Sequence, residues 1–448
     1  MLLKNAILEL EITDLDYEGL GIAHSDGYTI FVKDALVGEV VKARIEKVGK
    51  NIAFGKAIFH IKKSPNRINP PCPYYAKCGG CNMMHMSYEE EMKMKKQFFI
   101  ATINKMVKDI NISSVVCSDN PYNYRNKIQL PVGYVDDSFV VGFYQERSHN
   151  LIPSDSCLIE NENARKVINE VIELLNESNI YPYDEATHKG DLRHLVLRTN
   201  SKNEFMLIMV FCEMKPKITK FVNSINIPMV KSLYANINPN KTNVILGKEF
   251  IHISGDKYLE EELFGNKFNI HPNSFFQVNY NQMQKLYKTA IDMLNPKKDE
   301  VVIDAYSGIG TITLSIAPYV KKVYGIEVVS EAVFNANENK NRNNITNAEF
   351  ILGKCEEEIM NLISKEKVDA ILMDPPRKGS DQKFLDTVIN AKIKKIVYIS
   401  CGPAALARDL RYLIENGYEL KNIVLVDMFS RTSNIETVVS LVLRDKTK

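Results

Sequence analysis

Two short stretches of the chain place reactive side chains where strands of a sheet are predicted to end. Asp374 opens the loop Asp374–Gly379, with the sequence Asp-Pro-Pro-Arg-Lys-Gly, directly after the apolar run Ala370–Met373. Cys401 comes shortly after the next apolar run, Lys395–Ile399. In an open parallel sheet the carboxyl ends of the strands face the ligand crevice. We therefore expect Asp374 and Cys401 to face a substrate or cofactor.

The combination of an acidic Pro-Pro loop with a cysteine favours methyl transfer to carbon. The loop is similar to the Asp/Asn-Pro-Pro-aromatic loops of methyltransferases that act on exocyclic amines, but Arg377 stands where the stacking aromatic would be. A thiol such as that of Cys401 suits a different target, because uracil C5 is a poor nucleophile until a thiolate adds to C6 and creates an enolate. A base must afterwards remove the C5 proton so that the cysteine can be eliminated.

Glu436 is the candidate for this base. It stands at the start of the last apolar run, which only a short loop separates from the preceding run, Ile423–Met428. These two runs must be antiparallel neighbours, because a parallel pair needs a crossover of about a dozen residues or more. The start of an antiparallel strand lies at the same edge as the ends of the parallel strands. Topology alone thus predicts that Asp304, Asp374, Cys401 and Glu436 share one rim.

The elements that carry these residues alternate regularly. From Phe275 onward strand patterns and helix patterns follow each other, which predicts a doubly wound α/β fold. A parallel sheet closed by an antiparallel last strand is the pattern of class I, Rossmann-like methyltransferases. We expect three domains: a small β-barrel at residues 1–62, a mixed α+β domain at 63–270 and the methyltransferase domain at 271–448.

A cofactor loop is predicted at Asp304–Gly310, where glycines let the backbone approach a ligand. The loop lacks the third glycine of dinucleotide-binding loops and the lysine of a P-loop. Glu327 ends the next strand, where an acid can accept both ribose hydroxyls. S-adenosylmethionine has a ribose and a cationic sulfonium but no phosphate, and so fits an acidic rim. The alternative for Glu327 is a solvated acid at a strand end.

The N-terminal β-rich region carries a local positive charge. Between Lys42 and Arg67 there are eight basic residues and one acid, Glu46, which leaves +7. Phe31, Phe54 and Phe59 lie in or near this segment, a composition typical of surfaces that follow phosphates and stack on bases. The alternative is a solvated face whose aromatic residues belong to the core.

Three cysteines predict a metal site. Cys72, Cys78 and Cys81 lie within ten residues, and the last two flank a Gly-Gly pair. Zinc and an iron-sulfur cluster both fit this spacing, and three ligands are one short of the usual four. The candidates for the fourth ligand are Cys117, Cys157, Cys212 and His85.

Composition narrows the class of protein. The 448 residues carry a net charge of only +2, so any nucleic-acid surface must be a local patch. No apolar run approaches the roughly 20 residues of a membrane-spanning helix, and the N-terminus lacks a signal-peptide pattern. Eight cysteines at uneven spacing in a long chain favour metal binding or catalysis over a disulfide framework. We expect a cytoplasmic monomer.

Five motifs in order resemble the RNA 5-methyluridine methyltransferase family. They are Phe275–Asn279, Asp304–Gly310, Asp374–Gly379, Ser400–Pro403 and Asp427–Glu436. The resemblance implies that Gln277, Tyr306, Glu327 and Asp374 surround S-adenosylmethionine. It also implies that Cys401 is the nucleophile and Glu436 the base, acting on a uridine that is flipped out of folded RNA.

The resemblance extends to the N-terminal half. Segments Gly19–Ala23, Ile30–Val32 and Ala35–Val40 look like the TRAM domain, an RNA-binding barrel. Cys72, Cys78 and Cys81, together with Cys157, resemble the [4Fe-4S] site of the family's 23S ribosomal RNA branch, which implies an iron-sulfur cluster and 23S ribosomal RNA as substrate. Two alternatives stay open: the same chemistry on transfer RNA, and a non-catalytic RNA-binding protein.

The chain departs from the family at two places. The family has Pro-x-Thr-x-His before its base, whereas Ser430 and Asn434 stand at the proline and histidine positions here. A threonine is usual where Ala405 stands. No reacting group is lost, but the environment of the base differs.

Overall fold

The computed structural model describes residues 2–75, 77–145 and 148–444. The chain divides into two compact units. The first consists of Met1–Thr102 together with Phe429–Ile435, and the second of Ile103–Met428 together with Glu436–Lys448. The three domain boundaries predicted from the sequence are a finer division and stay a prediction.

A β-sheet forms the core of the first unit. Within the described part of this unit its strands are β1 (Ile7–Glu11), β2 (Asp14–Leu15), β3 (Gly21–Ser25), β4 (Tyr28–Lys33), β5 (Val40–Val48) and β6 (Ile52–Lys62), in the order β1-β5-β6-β4-β3-β2. Alternate apolar side chains such as Ile30, Val32 and Ile45 are fully buried, as the two-residue period of a strand requires. Helix α1 (Tyr88–Ile103) follows the cysteine segment.

The second unit begins with a mostly antiparallel sheet. Its elements are β7 (Ser114–Val116), β8 (Lys127–Val135), β9 (Ser138–Tyr144), β10 (Leu151–Pro153), α2 (Ala164–Asn176), β11 (Leu192–Thr199), β12 (Phe205–Phe211), α3 (Pro216–Ser224), β13 (Val230–Ile237), β14 (Glu249–Gly255), β15 (Leu259–Leu263) and β16 (Asn266–Ile270). Within the described residues, seven of these strands form the sheet, in the order β10-β9-β8-β11-β12-β13-β14, while β15 and β16 form a two-stranded sheet and β7 belongs to the large sheet described next. Only β12 and β13 pair in parallel in the described sheet, with α3 as their crossover.

A second large sheet follows, with helices alternating along the chain. Its elements are α4 (Tyr280–Leu294), β17 (Val301–Ala305), α5 (Thr311–Ile316), β18 (Lys322–Glu327), α6 (Ser330–Arg342), β19 (Ala348–Leu352), α7 (Cys355–Ile363), β20 (Ala370–Met373), α8 (Gln382–Asn390), β21 (Lys395–Ser400), α9 (Pro403–Glu415), β22 (Tyr418–Val426) and β23 (Glu436–Leu443). The strand order is β19-β18-β17-β20-β21-β23-β22-β7.

The directions of these strands confirm the predicted fold class. Strands β17 to β21 pair in parallel, and β23 lies antiparallel between β21 and β22. Strands β17 and β20 are buried along their whole length, as in a parallel sheet covered by helices on both faces. The antiparallel β23 therefore starts at the edge where the parallel strands end. In the described residues no helix is both long and apolar enough to cross a membrane.

Candidate active site

Strand register brings Cys401 and Glu436 to the same edge. Ala305 of β17 lies opposite Met373 of β20, so Asp374 immediately follows this level of the sheet. On the other side, Ser400 of β21 lies opposite Thr437 of β23. The next residue after Ser400 is Cys401, and the residue before Thr437 is Glu436. The predicted rim thus exists, and Cys401 and Glu436 are adjacent across it.

Three carboxyl groups at this rim interact in a region shielded from water. Burial, with a contribution from the Asp374 charge, raises the pKa of Glu436 to about 8. Burial also raises the pKa of Asp374 to about 7. The pKa of Asp304 rises to about 7 through burial and the Asp374 charge, although its Oδ2 accepts a hydrogen bond from Thr313 Oγ1 at 2.5 Å. Like charges this close favour a cationic ligand, because a cation stabilises the ionised carboxylates.

The surroundings of Cys401 favour the protonated thiol. Burial raises the pKa of Cys401 to about 11, and the charges of Glu436 and Asp374 act in the same direction. Arg377, the residue that replaces the aromatic of the Asp-Pro-Pro loop, lowers it. Because the thiolate is the nucleophile, the thiol must lose its proton when it attacks, and carboxylates that could accept the proton lie close by.

Two contacts fix the loop that carries Asp374 and Arg377. A Cβ atom at Gly402 would lie only 2.7 Å from the Arg377 carbonyl oxygen, so glycine is needed for the two loops to approach. The buried Asp409 carboxylate accepts hydrogen bonds from Ser380 N at 2.9 Å and Tyr398 Oη at 2.7 Å. These contacts therefore hold the loop that follows β20 against the loop that follows β21.

The predicted cofactor residues lie at the neighbouring strand ends. Glu327 Oε2 accepts a hydrogen bond from Gly308 N at 3.0 Å, and its Oε1 accepts from the amides of Val328 and Val329. These amides orient the carboxylate of Glu327 at the end of β18. Gly308 has a φ of 55°, and a Cβ there would meet nothing within 4 Å, so there is open space beside the loop.

Tyr306 and Gln277 complete the predicted cofactor set. Tyr306 has a φ of 67°, a left-handed conformation, and its ring centroid lies 5.6 Å from that of Phe384. Gln277 is buried, and its carbonyl accepts a hydrogen bond from Asn126 Nδ2 at 2.9 Å. Open space beside Gly308, an oriented carboxylate and a cluster of buried acids fit a ribose and a sulfonium cation.

Tyr287 belongs to this site but carried no signal in the sequence. It lies on α4, is buried, and has its pKa raised by burial and by the charges of Asp374, Asp304 and Glu436. In the sequence it is one apolar position of an amphipathic helix, beside Met283 and Leu286, and such a pattern predicts only a core residue.

The cysteines do not form a metal site in the described residues. Cys72, Cys78 and Cys81 belong to the first unit and Cys157 to the second. In the part of the chain that the structure describes, no group of three or more His, Cys, Asp or Glu side chains is arranged to hold a metal. His85, an alternative ligand, is buried and its Nδ1 lies 2.6 Å from Tyr75 Oη. The predicted [4Fe-4S] cluster is therefore not supported by the described residues.

Comparison with known proteins decides the family. Residues 87–444 match the family described as tRNA (uracil-5-)-methyltransferase, and residues 3–58 match the TRAM domain. The chain belongs to the tRNA (uracil-5-)-methyltransferase family. It is 42% identical over 442 residues to an uncharacterized RNA methyltransferase of Clostridium tetani, covering 97% of this chain and 96% of the relative. A second uncharacterized RNA methyltransferase, from Halalkalibacterium halodurans, is 41% identical over 450 residues, covering 99% of this chain and 98% of the relative.

A solved structure agrees over nearly the whole chain. The tRNA (uracil-54, C5)-methyltransferase of Pyrococcus abyssi, in complex with S-adenosyl-L-homocysteine, is similar with a TM-score of 0.79 and 27% identity, covering 97% of this chain and 99% of that one. The Rossmann-like fold and the TRAM domain predicted from the sequence are confirmed. This chain is a member of the RNA uracil-5-methyltransferase family.

Proposed function

We propose that this enzyme methylates C5 of a uridine in 23S ribosomal RNA through a covalent bond between Cys401 Sγ and uracil C6. The observation that carries the proposal is the strand register, which puts a cysteine and a buried glutamate of raised pKa side by side. A nucleophile next to a base is what an addition and elimination sequence requires.

Cys401 acts first. As its Sγ bonds to C6, the thiol proton leaves to a neighbouring carboxylate or to water, and the electron pair of the C5–C6 double bond moves towards C5 and O4. S-adenosylmethionine, when bound, would supply an electrophilic methyl group, which bonds to C5 as the S–CH3 bond breaks and S-adenosylhomocysteine leaves. Gln277, Tyr306, Glu327 and Asp374 would hold and orient it, with Glu327 accepting hydrogen bonds from the ribose hydroxyls.

Glu436 completes the reaction. In its ionised form it accepts the C5 proton, the electrons restore the C5–C6 double bond, and the C6–Sγ bond breaks to release Cys401 as a thiolate. The raised pKa of Glu436 suits this task, because a base works best when its pKa lies near the working pH. Arg377, which lowers the pKa of Cys401, stabilises the thiolate that leaves.

The sheet of the first unit supports RNA as the substrate. Phe31 and Phe54 occupy opposite positions of β4 and β6, and their rings stack with centroids 5.3 Å apart. Phe54 is 38% exposed and Phe59 is 60% exposed, so both offer aromatic surface to solvent. Lys47 and Lys50 line a hollow beside Phe54. Stacking rings next to lysines suit a single-stranded segment of RNA.

Transfer RNA is the second candidate substrate. The similar Pyrococcus abyssi enzyme acts on uracil-54 of transfer RNA, whereas 23S ribosomal RNA is supported by the resemblance of the cysteine motif. Mapping 5-methyluridine in ribosomal and transfer RNA from a strain that lacks this protein tests the choice. Loss of the modification from 23S ribosomal RNA alone supports the proposal, and loss from transfer RNA alone overturns it.

The mechanism is tested by two variants. Cys401→Ala is expected to abolish methyl transfer, and Glu436→Gln to accumulate a covalent protein–RNA adduct. Full activity of Cys401→Ala would contradict the mechanism. If the protein only binds RNA, the wild type itself would show no methyl transfer.

The [4Fe-4S] cluster takes part in no step of this mechanism. Its proposed ligands Cys72, Cys78, Cys81 and Cys157 rest on sequence resemblance alone. Iron and sulfide analysis of anaerobically purified protein tests the cluster, and stoichiometric zinc without iron would reverse the assignment.

A further inference from the structure

The segment Phe429–Ile435 joins β22 to β23 and leads directly into Glu436. Val426 lies opposite Glu436 in the antiparallel pair, so residues 427–435 form the connecting loop. The strands that precede and follow it in the sequence, β22 and β23, belong to the second unit, but Phe429–Ile435 itself belongs to the first. Its main chain exchanges hydrogen bonds with side chains from distant parts of the sequence.

Glu91 on α1 makes the first of these contacts. Its Oε1 accepts hydrogen bonds from Arg431 N at 2.7 Å and from Lys95 Nζ at 2.8 Å. Lys95 Nζ also donates to the Phe429 carbonyl at 3.2 Å, and Arg431 Nη1 lies 3.4 Å from Glu91 Oε2. The side chains of Glu91 and Lys95 are fully buried and that of Arg431 is 5% exposed. Water therefore cannot readily replace these partners.

The bond from Arg431 N has a particular role because of the backbone at that position. Arg431 has a φ of 67°, the left-handed region that is unfavourable for a residue with a Cβ atom. The Glu91 carboxylate accepts the N–H that this conformation presents, and the charge strengthens the bond. Removing the carboxylate would remove this charged partner of the Arg431 N–H.

Asn82 makes the second contact. Its Oδ1 accepts a hydrogen bond from Ser433 N at 2.9 Å, and its Nδ2 donates to Ser433 Oγ at 3.1 Å. The backbone amides of Asn82 and Met83 both donate to the Arg431 carbonyl at 3.2 Å. Asn82 therefore holds the chain three positions before Glu436.

We propose that Glu91 and Asn82 are positioning residues that hold the carboxylate of Glu436 in reach of the C5 proton. The inference rests on the proposed function, in which Glu436 is the base. A strand entered one residue out of register points every side chain to the other face, and a base must lie within hydrogen-bond distance of the proton it removes. Loosening either contact impairs the elimination step and leaves the attack of Cys401 on C6 intact.

Two variants and a matched control test this. Glu91→Gln removes the charge that holds Arg431 N, and Asn82→Ala removes the bonds to Ser433. Glu39→Gln is the control, because Glu39 is also a fully buried glutamate of the first unit and its hydrogen-bond partners, Leu36, Ser64 and Arg67, lie outside Phe429–Ile435. All are assayed as full-length protein, with the folded fraction measured by circular dichroism.

Each variant is incubated with S-adenosylmethionine and RNA containing either uridine or 5-fluorouridine. Fluorine at C5 cannot leave as a proton, so the adduct formed with 5-fluorouridine reports attack and methylation alone. We expect all three variants to form this adduct at the wild-type rate per folded molecule. With uridine RNA, Glu91→Gln and Asn82→Ala are expected to lower kcat at least tenfold and to accumulate adduct, with KM for S-adenosylmethionine unchanged, whereas Glu39→Gln behaves like the wild type.

The outcomes separate this inference from the proposed function. If Glu91→Gln and Asn82→Ala turn over uridine RNA like Glu39→Gln, without adduct, the positioning role is wrong while the function stands. If Glu91→Gln does not fold, the turnover and adduct level of Asn82→Ala alone decide whether the positioning role is correct. If the wild type forms no adduct with 5-fluorouridine RNA, the covalent mechanism itself is wrong, and the positioning role with it.

Discussion

Replacing Glu436 by glutamine is expected to stabilise the ligand-free protein at alkaline pH. Burial and Asp374 raise the pKa of Glu436 from 4.5 to about 8. Between these values the folded protein keeps a proton that the unfolded chain has released, so stability falls as pH rises from about 5 through about 8. At about 1.4 kcal/mol per pH unit, full ionisation of Glu436 costs the fold roughly 5 kcal/mol. Glutamine cannot ionise and avoids this cost.

Peptide-resolved hydrogen exchange is the suitable assay, because the chain divides into two compact units and contains no tryptophan to report on them. The free energy of opening is measured for β23 between pH 5.5 and 9 in both proteins, after correction for intrinsic exchange. We expect the wild type to lose several kcal/mol more than Glu436→Gln across this range. Asp304 and Asp374 titrate in both proteins, so the difference isolates Glu436.

Glu39 provides a control of opposite sign. Burial alone would raise its pKa, but hydrogen bonds from Arg67 and two backbone amides lower it below the ordinary value. Its contribution to stability is present above the unfolded pKa and is lost as pH falls, so Glu39→Gln is expected to destabilise β5 at neutral and alkaline pH. Identical pH dependence of β23 in the wild type and Glu436→Gln would refute the reasoning about the buried carboxylate.

Three further predictions concern activity. The rate of methyl transfer is expected to rise with pH towards a plateau, with a midpoint at or below about 8 because Glu436 must be ionised and the bound sulfonium favours ionisation; initial rates between pH 6 and 9 test this, and a pH-independent rate contradicts it. Gly402→Ala is expected to lower kcat at least tenfold with an unchanged circular dichroism spectrum, because its Cβ would lie 2.7 Å from the Arg377 carbonyl oxygen; wild-type turnover would show that the two loops need not approach. Phe54→Ala is expected to weaken RNA binding roughly tenfold, since stacking on one base contributes about 1–3 kcal/mol, while Ile7→Ala, at a more exposed apolar residue of β1, leaves binding unchanged in a filter assay.

The rim of the site could be predicted because it follows from two local rules. Apolar runs give the strands, and the short connection before Glu436 makes the last strand antiparallel. Together they bring the end of β21 and the start of β23 to one edge, where Cys401 and Glu436 are adjacent. The roles of these residues stay predictions.

Contacts between distant segments could not be predicted. Strand β7 has only three residues and pairs with Val424–Val426, and so short a segment has no periodicity to recognise. Glu91 is one of three acids in the first turn of α1, a pattern that by itself indicates only an interaction with the helix dipole. Its bond to Arg431 joins residues 340 positions apart. The cysteine spacing predicts ligands by type alone, and among the described residues no group of three or more His, Cys, Asp or Glu side chains is arranged to hold a metal.

Mass spectrometry of the covalent adduct tests the central claim most directly. Glu436→Gln is incubated with S-adenosylmethionine and substrate RNA, digested with nuclease and protease, and searched for a peptide joined to a nucleotide. We expect the peptide that contains Cys401 to carry one methylated uridine nucleotide, and Cys401→Ala to yield no such peptide under the same conditions. An RNA product methylated at C5 by Cys401→Ala, or an adduct on another cysteine, would contradict the account.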